Sequence, residues 1–275
     1  MLLDGLNPSS RKRLRLRVCE IERALFERFP RSMAESWDKP GLSVGDPNLQ
    51  VTSIACALDP TPANIRKAHE LGCQLLVTHH PAFLEPPFPM TPDIASSSVG
   101  GASAYSAATL GVSLIAMHTN LDRSEAALDL GSELLGLART GRLEEPDGYG
   151  AMLAGNGISL GELAARAASR FGCTPTVWGD ESRKLEKVAF CSGSGGSFTG
   201  ELIAQSVDCV VTGEAGYHRI SEAFDAGVAA ILLGHDASER PYARLLADTL
   251  ALIAPDTRIE VLDESLRWHA WGTGE

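Results

Sequence analysis

The segment Cys73-Gln-Leu-Leu-Val-Thr-His-His80 passes directly from a short apolar run into two adjacent histidines. A short apolar run of this kind is typical of a buried strand in a parallel α/β sheet. We therefore predict a strand over residues 73–78 and place His79 and His80 at its carboxyl end. In open parallel sheets, the carboxyl ends of the strands border the crevice in which ligands bind.

Helices and strands alternate on both sides of this segment. Thr61-Pro62 predicts a helix start, because threonine caps helices and proline is favoured at the first helical position. Residues 34–46 contain Trp37 and two glycines and predict an ordered loop or a short strand. The other elements predicted in this half are a helix at 15–29, strands at 51–58 and 113–117, a loop at 81–92 and a helix at 103–110.

The second half of the chain repeats the same order. It contains predicted strands at 187–191, 208–212 and 229–233, with helices at 197–205 and 217–226 between them. In each half the third strand leads to a histidine that is followed four residues later by a carboxylate, His118 with Asp122 and His235 with Glu239. The repeat predicts an α/β protein built from two βαβαβ units.

Two further regions complete the predicted fold. Between the halves, predicted helices at 128–137 and 159–171 are joined by a glycine-rich stretch at 147–157. After Glu239 we predict a helix at 241–253 and a last strand at 258–262.

Composition limits the classes of function. The chain has 275 residues, 44% of them hydrophobic, so it can bury a substantial core. No apolar run approaches the roughly 20 residues that span a membrane. A net charge of −11 argues against a broad nucleic-acid surface, and the basic residues between Arg11 and Arg17 are interpreted as a solvated helix face. The six cysteines include no CxxC pair, which favours buried thiols in a cytoplasmic protein.

Four of the seven histidines lie just beyond predicted strand ends, and this concentration indicates a metal site: His79, His80, His118 and His235. Imidazole is the commonest neutral ligand of zinc, iron and nickel, and a carboxylate four residues later lies on the same helical face. Five or six ligands exceed the needs of one tetrahedral ion, so we expect two divalent ions and a metal-bound hydroxide. The expected reaction class is hydrolysis of an amide-like, cyclic C–N or phosphoester bond. Zinc, iron, manganese and nickel all suit such ligands.

Six segments, ordered along nearly the whole chain, resemble motifs of the NIF3-like family, also named GTP cyclohydrolase 1 type 2 homologues. They are Trp37-Asp-Lys-Pro-Gly-Leu-Ser-Val-Gly45, Val77-Thr-His-His-Pro81, His118-Thr-Asn-Leu-Asp122, Cys191-Ser-Gly-Ser-Gly195, Val211-Thr-Gly-Glu-Ala215 with His218, and Gly234-His-Asp-Ala-Ser-Glu239. The length is similar to that of the short form without an inserted domain. Lys39 departs from the family's usual asparagine, at a position outside the expected ligands.

The resemblance implies two similar α/β units with a dinuclear metal site in the cleft between them, and a ring-shaped homohexamer. The first unit would comprise residues 1–128 plus 240–275, and the second residues 129–239. Carried over by position, the metal ligands would be His79, His80, Asp122, His235 and Glu239, with Glu239 as the bridge. His118 and Glu214 would move protons or orient substrate, and His218 would line the same cleft.

Two functions follow as hypotheses. The first is a metal-dependent hydrolase of a small nucleotide-like or heterocyclic substrate. The second is a metal-binding or regulatory protein without catalysis, since the family's name does not by itself establish an activity. Nucleic acid and membranes are not expected partners.

Overall fold

The computed structural model describes residues 15–263 and Trp268, which form a mixed α/β structure with two β-sheets. The strands are β1 (Gly41–Val44), β2 (Ser53–Ala57), β3 (Leu75–Thr78), β4 (Ser113–Ala116), β5 (Arg139–Arg142), β6 (Ala151–Ser159), β7 (Thr176–Trp178), β8 (Lys184–Ser194), β9 (Cys209–Glu214), β10 (Ala229–Leu232) and β11 (Arg258–Val261). The helices are α1 (Val18–Arg28), α2 (Pro62–Glu70), α3 (Val99–Leu110), α4 (Thr119–Asp122), α5 (Glu125–Leu135), α6 (Leu160–Phe171), α7 (Thr199–Ala204), α8 (Tyr217–Asp225), α9 (His235–Glu239) and α10 (Pro241–Ile253).

A parallel three-stranded core lies at the centre of each sheet. The first sheet has the order β1-β4-β3-β2-β11, in which β2, β3 and β4 are parallel. The second has the order β5-β6-β8-β9-β10-β7, in which β8, β9 and β10 are parallel. The predicted α/β fold with an internal repeat is therefore confirmed. The exact unit boundaries at 128/129 and 239/240 stay a prediction.

Three strands of the second sheet were not predicted. The interpretation of residues 147–157 as a connection between helices is wrong. β6 occupies most of this stretch and pairs antiparallel with β8. The other two, β5 and β7, are short antiparallel edge strands. The second sheet is thus a parallel core flanked by antiparallel strands on both sides.

Capping residues determine where two of the helices begin, and one of these starts differs from the predicted one by a few residues. Thr61 caps α2 through its hydroxyl, with Pro62 at the first position, as predicted. In contrast, α3 begins at Val99, before the predicted start at 103, because the Ser98 hydroxyl accepts a hydrogen bond from Gly101 N. Glycines at 100 and 101 hid this start from the sequence pattern.

The carboxyl-terminal helix completes the core of the first sheet. Tyr242, Leu246 and Leu250 of α10 are buried in one apolar cluster with Ile21 and Leu25 of α1. The following strand, β11, then pairs in parallel with β2. The chain therefore returns to its first sheet after building the second.

None of the helices in the described part of the chain is long and apolar enough to cross a membrane. The basic run is described only from Arg15 onward, so Arg11, Lys12 and Arg13 lie outside the described residues. His269 and Trp271, near the carboxyl terminus, also lie outside the described residues.

Candidate metal centre

Strand ends from both sheets deliver the predicted ligands to one place. β3 ends at Thr78 and is followed at once by His79 and His80. The end of β4 leads through His118 into α4, which carries Asp122 at its last position, and the end of β10 leads into α9, which begins with His235 and ends with Glu239. The structure brings all five predicted ligand side chains together.

The side chains form two groups that share one carboxylate. Ligand atoms of His79, Asp122 and Glu239 lie within 4.8 Å of one another, and so do those of His80, His235 and Glu239. In the first group, His79 Nε2 lies 3.6 Å from both Asp122 Oδ1 and Glu239 Oε1. In the second, Glu239 Oε2 lies 3.0 Å from His80 Nε2 and 3.1 Å from His235 Nε2.

Each histidine of the centre is oriented through its Nδ1 atom. The partners are Met117 O for His79, Asp59 Oδ1 for His80, Asp38 Oδ1 for His118 and Glu214 Oε1 for His235, at 2.8–3.0 Å. Carbonyl and carboxylate oxygens only accept, so every Nδ1 carries the proton and donates it. In a neutral imidazole the lone pair is then on Nε2, which is how metal-binding histidines are held by their outer partners.

Three buried atoms at the centre have no hydrogen-bond partner among the described residues: His79 Nε2, Asp122 Oδ1 and Glu239 Oε2. Imidazole nitrogens here face carboxylate oxygens, an arrangement that is unfavourable unless a proton or a metal cation lies between them. The residues therefore fit divalent metal ions. The described part of the chain contains candidate metal-binding groups of histidine and carboxylate side chains.

The raised pKa values of two histidines also indicate a place that favours positive charge. Burial opposes a charge on His80, but the carboxylates of Asp59 and Glu239 outweigh it and raise the pKa of His80 to about 10. Contact with Glu239, supported by Glu214, raises the pKa of His235 to about 9. The centre thus favours positive charge at both rings, which a metal ion would supply while each imidazole stays neutral.

The two carboxylates of the centre respond differently to burial. Burial opposes a charge on Glu239, but His79, His235 and His80 together hold the pKa of Glu239 well below its ordinary value. Burial raises the pKa of Asp122. One ionised carboxylate therefore lies between the two groups, with a second that a cation would ionise.

His118 lies beside the two groups and is held by a buried carboxylate. Its ligand atom lies within 4.8 Å of those of His79 and His80. Asp38 is buried, and its second oxygen accepts hydrogen bonds from the main chain and the hydroxyl of Thr119. Burial alone favours the neutral acid, but contacts with His118 and Thr119 lower the pKa of Asp38 to about 2. The His118 ring is thus fixed with its Nε2 free to face the cleft.

Glu214 contacts His235, whereas His218 lies at the exposed surface of α8. Glu214 Oε1 accepts a hydrogen bond from His235 Nδ1 at 3.0 Å. The residues that line the cleft at the centre include His235 but neither Glu214 nor His218. His218 is exposed and contacts the Tyr217 ring. Glu214 thus orients the His235 ring, and the roles in proton transfer or substrate orientation expected for Glu214 and His218 stay predictions.

Sequence reasoning missed the carboxylates that hold two of the histidines. Asp59 follows the end of β2, so the rule that found His79 would have found it. Asp38 lies in no such position, and it is 80 residues away from His118 in sequence. Only its place in the Trp37–Gly45 segment could have drawn attention to it.

A cleft of about 430 Å³ opens at the centre. Its lining residues are Glu35, Trp37, His118, Thr119, Asp122, Glu144, Tyr149, Ser192, Ser194, Ser197, Phe198, His235 and Glu239. Residues of both sheets therefore border a space large enough for a small molecule.

Comparison with known proteins identifies relatives along most of the chain. A Streptomyces coelicolor protein named GTP cyclohydrolase 1 type 2 homolog is 32% identical over 273 residues, covering 89% of this chain and 90% of the relative. A Helicobacter pylori protein named GTP cyclohydrolase 1 type 2 is 30% identical over 236 residues, covering 85% of this chain and 91% of the relative.

Solved structures share the fold at lower identity. A Staphylococcus aureus hypothetical protein has a TM-score of 0.80 at 22% identity, covering 91% of this chain and 97% of that one. A Bacillus cereus protein related to NIF3 has the same TM-score at 17% identity and the same coverage. A sequence profile of the Duf34/NIF3 family (NGG1p interacting factor 3) matches residues 16–265. The chain belongs to the Duf34/NIF3 family.

Proposed function

We propose that this protein holds two divalent metal ions bridged by Glu239 and hydrolyses a small nucleotide-like or heterocyclic substrate. One observation carries the proposal. The two oxygens of Glu239 face different groups, Oε1 toward His79 and Oε2 toward His80 and His235. A carboxylate in this position can bridge two ions.

A bound pair of divalent ions supplies Lewis acidity and makes a coordinated water acidic near neutral pH. The protein's own residues supply the rest. Asp38 fixes the His118 ring at the cleft, where Nε2 can accept or deliver a proton close to His79 and His80. Trp37 and Phe198 border the same cleft and give it aromatic surface.

Metal content tests the bridge directly. Elemental analysis of wild-type protein purified without a histidine tag should find about two ions per chain. Asp122→Asn affects only the first group and His235→Ala only the second, so each variant should retain about one ion. Glu239→Gln affects both groups and should abolish binding. Asp236→Asn, on α9 but outside both groups, is the matched control and should keep the wild-type content.

A stoichiometry of one ion in the wild type, or equal losses in all variants, would refute the two-group arrangement. Asp236 lies between His235 and Glu239 on the same short helix. Normal metal content in Asp236→Asn would therefore show that a substitution in this helix does not by itself abolish binding. Circular dichroism of each variant confirms the fold.

Turnover tests the hydrolase part separately. Loaded protein is assayed against nucleotides including GTP, heterocyclic amides and phosphoesters. His118→Ala should keep the metal content and lose about 100-fold or more in turnover, the range that a proton-transfer group contributes. A fully loaded protein that turns over nothing in the panel would contradict hydrolysis and leave metal binding or regulation as the function.

A further inference from the structure

The cleft at the metal centre has an uneven charge distribution. Among the described residues that line it, none is lysine or arginine, whereas two glutamates lie outside both metal-binding groups. These are Glu35 and Glu144. The cleft therefore presents negative charge at a second place besides the centre.

The two glutamates are held on either side of Tyr149, and we call these three residues the acidic wall. The Tyr149 hydroxyl donates to Glu35 Oε1 at 3.3 Å, and the Tyr149 main-chain N–H donates to Glu144 Oε2 at 3.1 Å. Burial, together with the negative charges of Asp122 and Glu35, raises the pKa of Tyr149 well above its ordinary value, so the hydroxyl keeps its proton. The wall is a fixed part of the cleft that spans both halves of the chain.

Arg123 neutralises only part of this charge. Its Nη1 lies 3.6 Å from Glu35 Oε1, but the same atom also donates to Met33 O, and its Nε donates to Asp147 O. The guanidinium lies over the Tyr149 ring at 5.5 Å from the centroid and does not line the cleft. Two carboxylates against one guanidinium leave the acidic wall with a net negative charge.

Aromatic rings border the space beside the wall. The Tyr149 and Phe198 rings lie 5.7 Å apart, and Trp37 is half-exposed at the same cleft. Flat apolar surfaces favour a planar ligand, and the faces of tryptophan and tyrosine attract cations. The flat aromatic surfaces and the negative charge of the cleft therefore both favour a planar cation.

We infer that the acidic wall binds a positively charged N–H group on a planar substrate, such as an amidinium or a protonated amino-substituted heterocycle. The inference rests on the proposed function for the reacting end of the molecule. A metal-loaded centre is positively charged and takes an electron-rich group, while the acidic wall takes the opposite end. The cleft thus orients a polarised ligand, and a phosphate chain directed at the wall meets like charge.

Benzamidine and benzamide test this preference, because they share shape and size and differ in charge. Their affinities for protein of measured metal content are determined by ligand-observed NMR titration. The wild type should bind benzamidine about tenfold more tightly than benzamide, as one charge-assisted contact predicts. Glu35→Gln/Glu144→Gln should reduce the benzamidine affinity about tenfold and leave benzamide within about twofold.

Controls separate the wall from general electrostatics. Glu70→Gln removes an exposed carboxylate on α2, outside the cleft, and should change neither affinity. Glutamine keeps an oxygen that can accept the hydrogen bonds from Tyr149. If the double variant unfolds, the single variant Glu35→Gln is measured instead, and it should show a smaller loss of benzamidine affinity. Equal affinity of the wild type for both probes, or a preference that survives in the double variant, would overturn the inference.

The outcome is independent of the proposed hydrolysis. Elemental analysis and the substrate panel measure metal content and turnover. The NMR titration measures the loss of benzamidine binding in the Glu35→Gln/Glu144→Gln variant, and it requires no turnover. A protein that hydrolyses but binds both probes equally refutes the acidic wall alone.

Discussion

Gly193 lies directly against the carboxylate that the two metal-binding groups share. A Cβ atom at this position would lie 2.2 Å from Glu239 Oε1 and 3.4 Å from His235 Cε1. The backbone at Gly193 also has a φ of +59°, which side-chain-bearing residues rarely adopt. Glycine is therefore required here twice, for conformation and for the approach of Glu239.

The substitution Gly193→Ala should displace Glu239 and abolish metal binding, as measured by elemental analysis. Gly111→Ala is the matched control, because Gly111 has a φ of +67° with no atom within 4 Å of the added Cβ. Both variants should lose about 1 kcal/mol of unfolding free energy from the backbone conformation. Retention of about two ions per chain in Gly193→Ala would show that this contact does not control the centre.

At the residue scale, the sequence predicted the side chains that meet at the centre but not the ones that hold them. His79, His80 and His235 follow from a rule about strand ends. The contact of Gly193 with Glu239 depends on how β8 lies against α9, and sequence spacing carries no information about that distance. Gly193 acts here through its closeness to Glu239.

At the scale of elements, β6 shows why a glycine-rich stretch can form a strand. Between Ala154 and Ile158 its register against β8 shifts, and Asn156 and Gly157 have positive φ values, which is a β-bulge. A Cβ at Gly155 would lie 2.3 Å from the carbonyl oxygen of Leu185. The glycines therefore allow β6 to bend and to approach β8 closely.

Gly155→Ala should destabilise the protein by about 1–3 kcal/mol, since the added atom meets main chain that has no room to move. Urea unfolding of the purified variant measures this loss. Gly200→Ala, in α7 with no atom within 4 Å of the added Cβ, should change stability in the opposite sense by up to about 1 kcal/mol. Equal effects of the two substitutions would contradict the close approach of β6 and β8.

The predictable elements were those with continuous apolar runs. The parallel strands β2, β3, β4, β9 and β10 all contain such runs and were found close to their observed positions. By contrast, β5 and β7 are short edge strands, and their pairing depends on neighbours distant in sequence. Glycine in β6 serves a bulge, yet the same residue type indicates turns in most sequences.

At the scale of the whole molecule, the candidate metal centre is built from residues that follow strands of both sheets. His79, His80 and Asp122 follow strands of the first sheet, whereas His235 and Glu239 follow the last parallel strand of the second. Ions shared by these residues would hold the two sheets together. The homohexamer implied by the resemblance stays a prediction, which light scattering of the full chain measures.

Removal of metal by a chelator should therefore lower the melting temperature of the whole protein. An ion at a concentration a thousandfold above its Kd contributes about 4 kcal/mol, which corresponds to a fall in Tm of roughly 10 °C for a chain of this size. Scanning calorimetry with and without chelator measures the shift. The Glu239→Gln variant should not respond, and a wild type whose Tm is unchanged after verified metal loss would contradict the connection between the sheets.

The place of β11 has a consequence for synthesis on the ribosome. β2 lies between β3 and β11, and the core beneath it needs Leu246 and Leu250 of α10. Residues 139–232, which supply every strand of the second sheet, emerge before these partners exist. The nascent chain can thus complete its second sheet while one edge of β2 is still open, and that edge is exposed to wrong pairing until the last residues of β11 leave the exit tunnel.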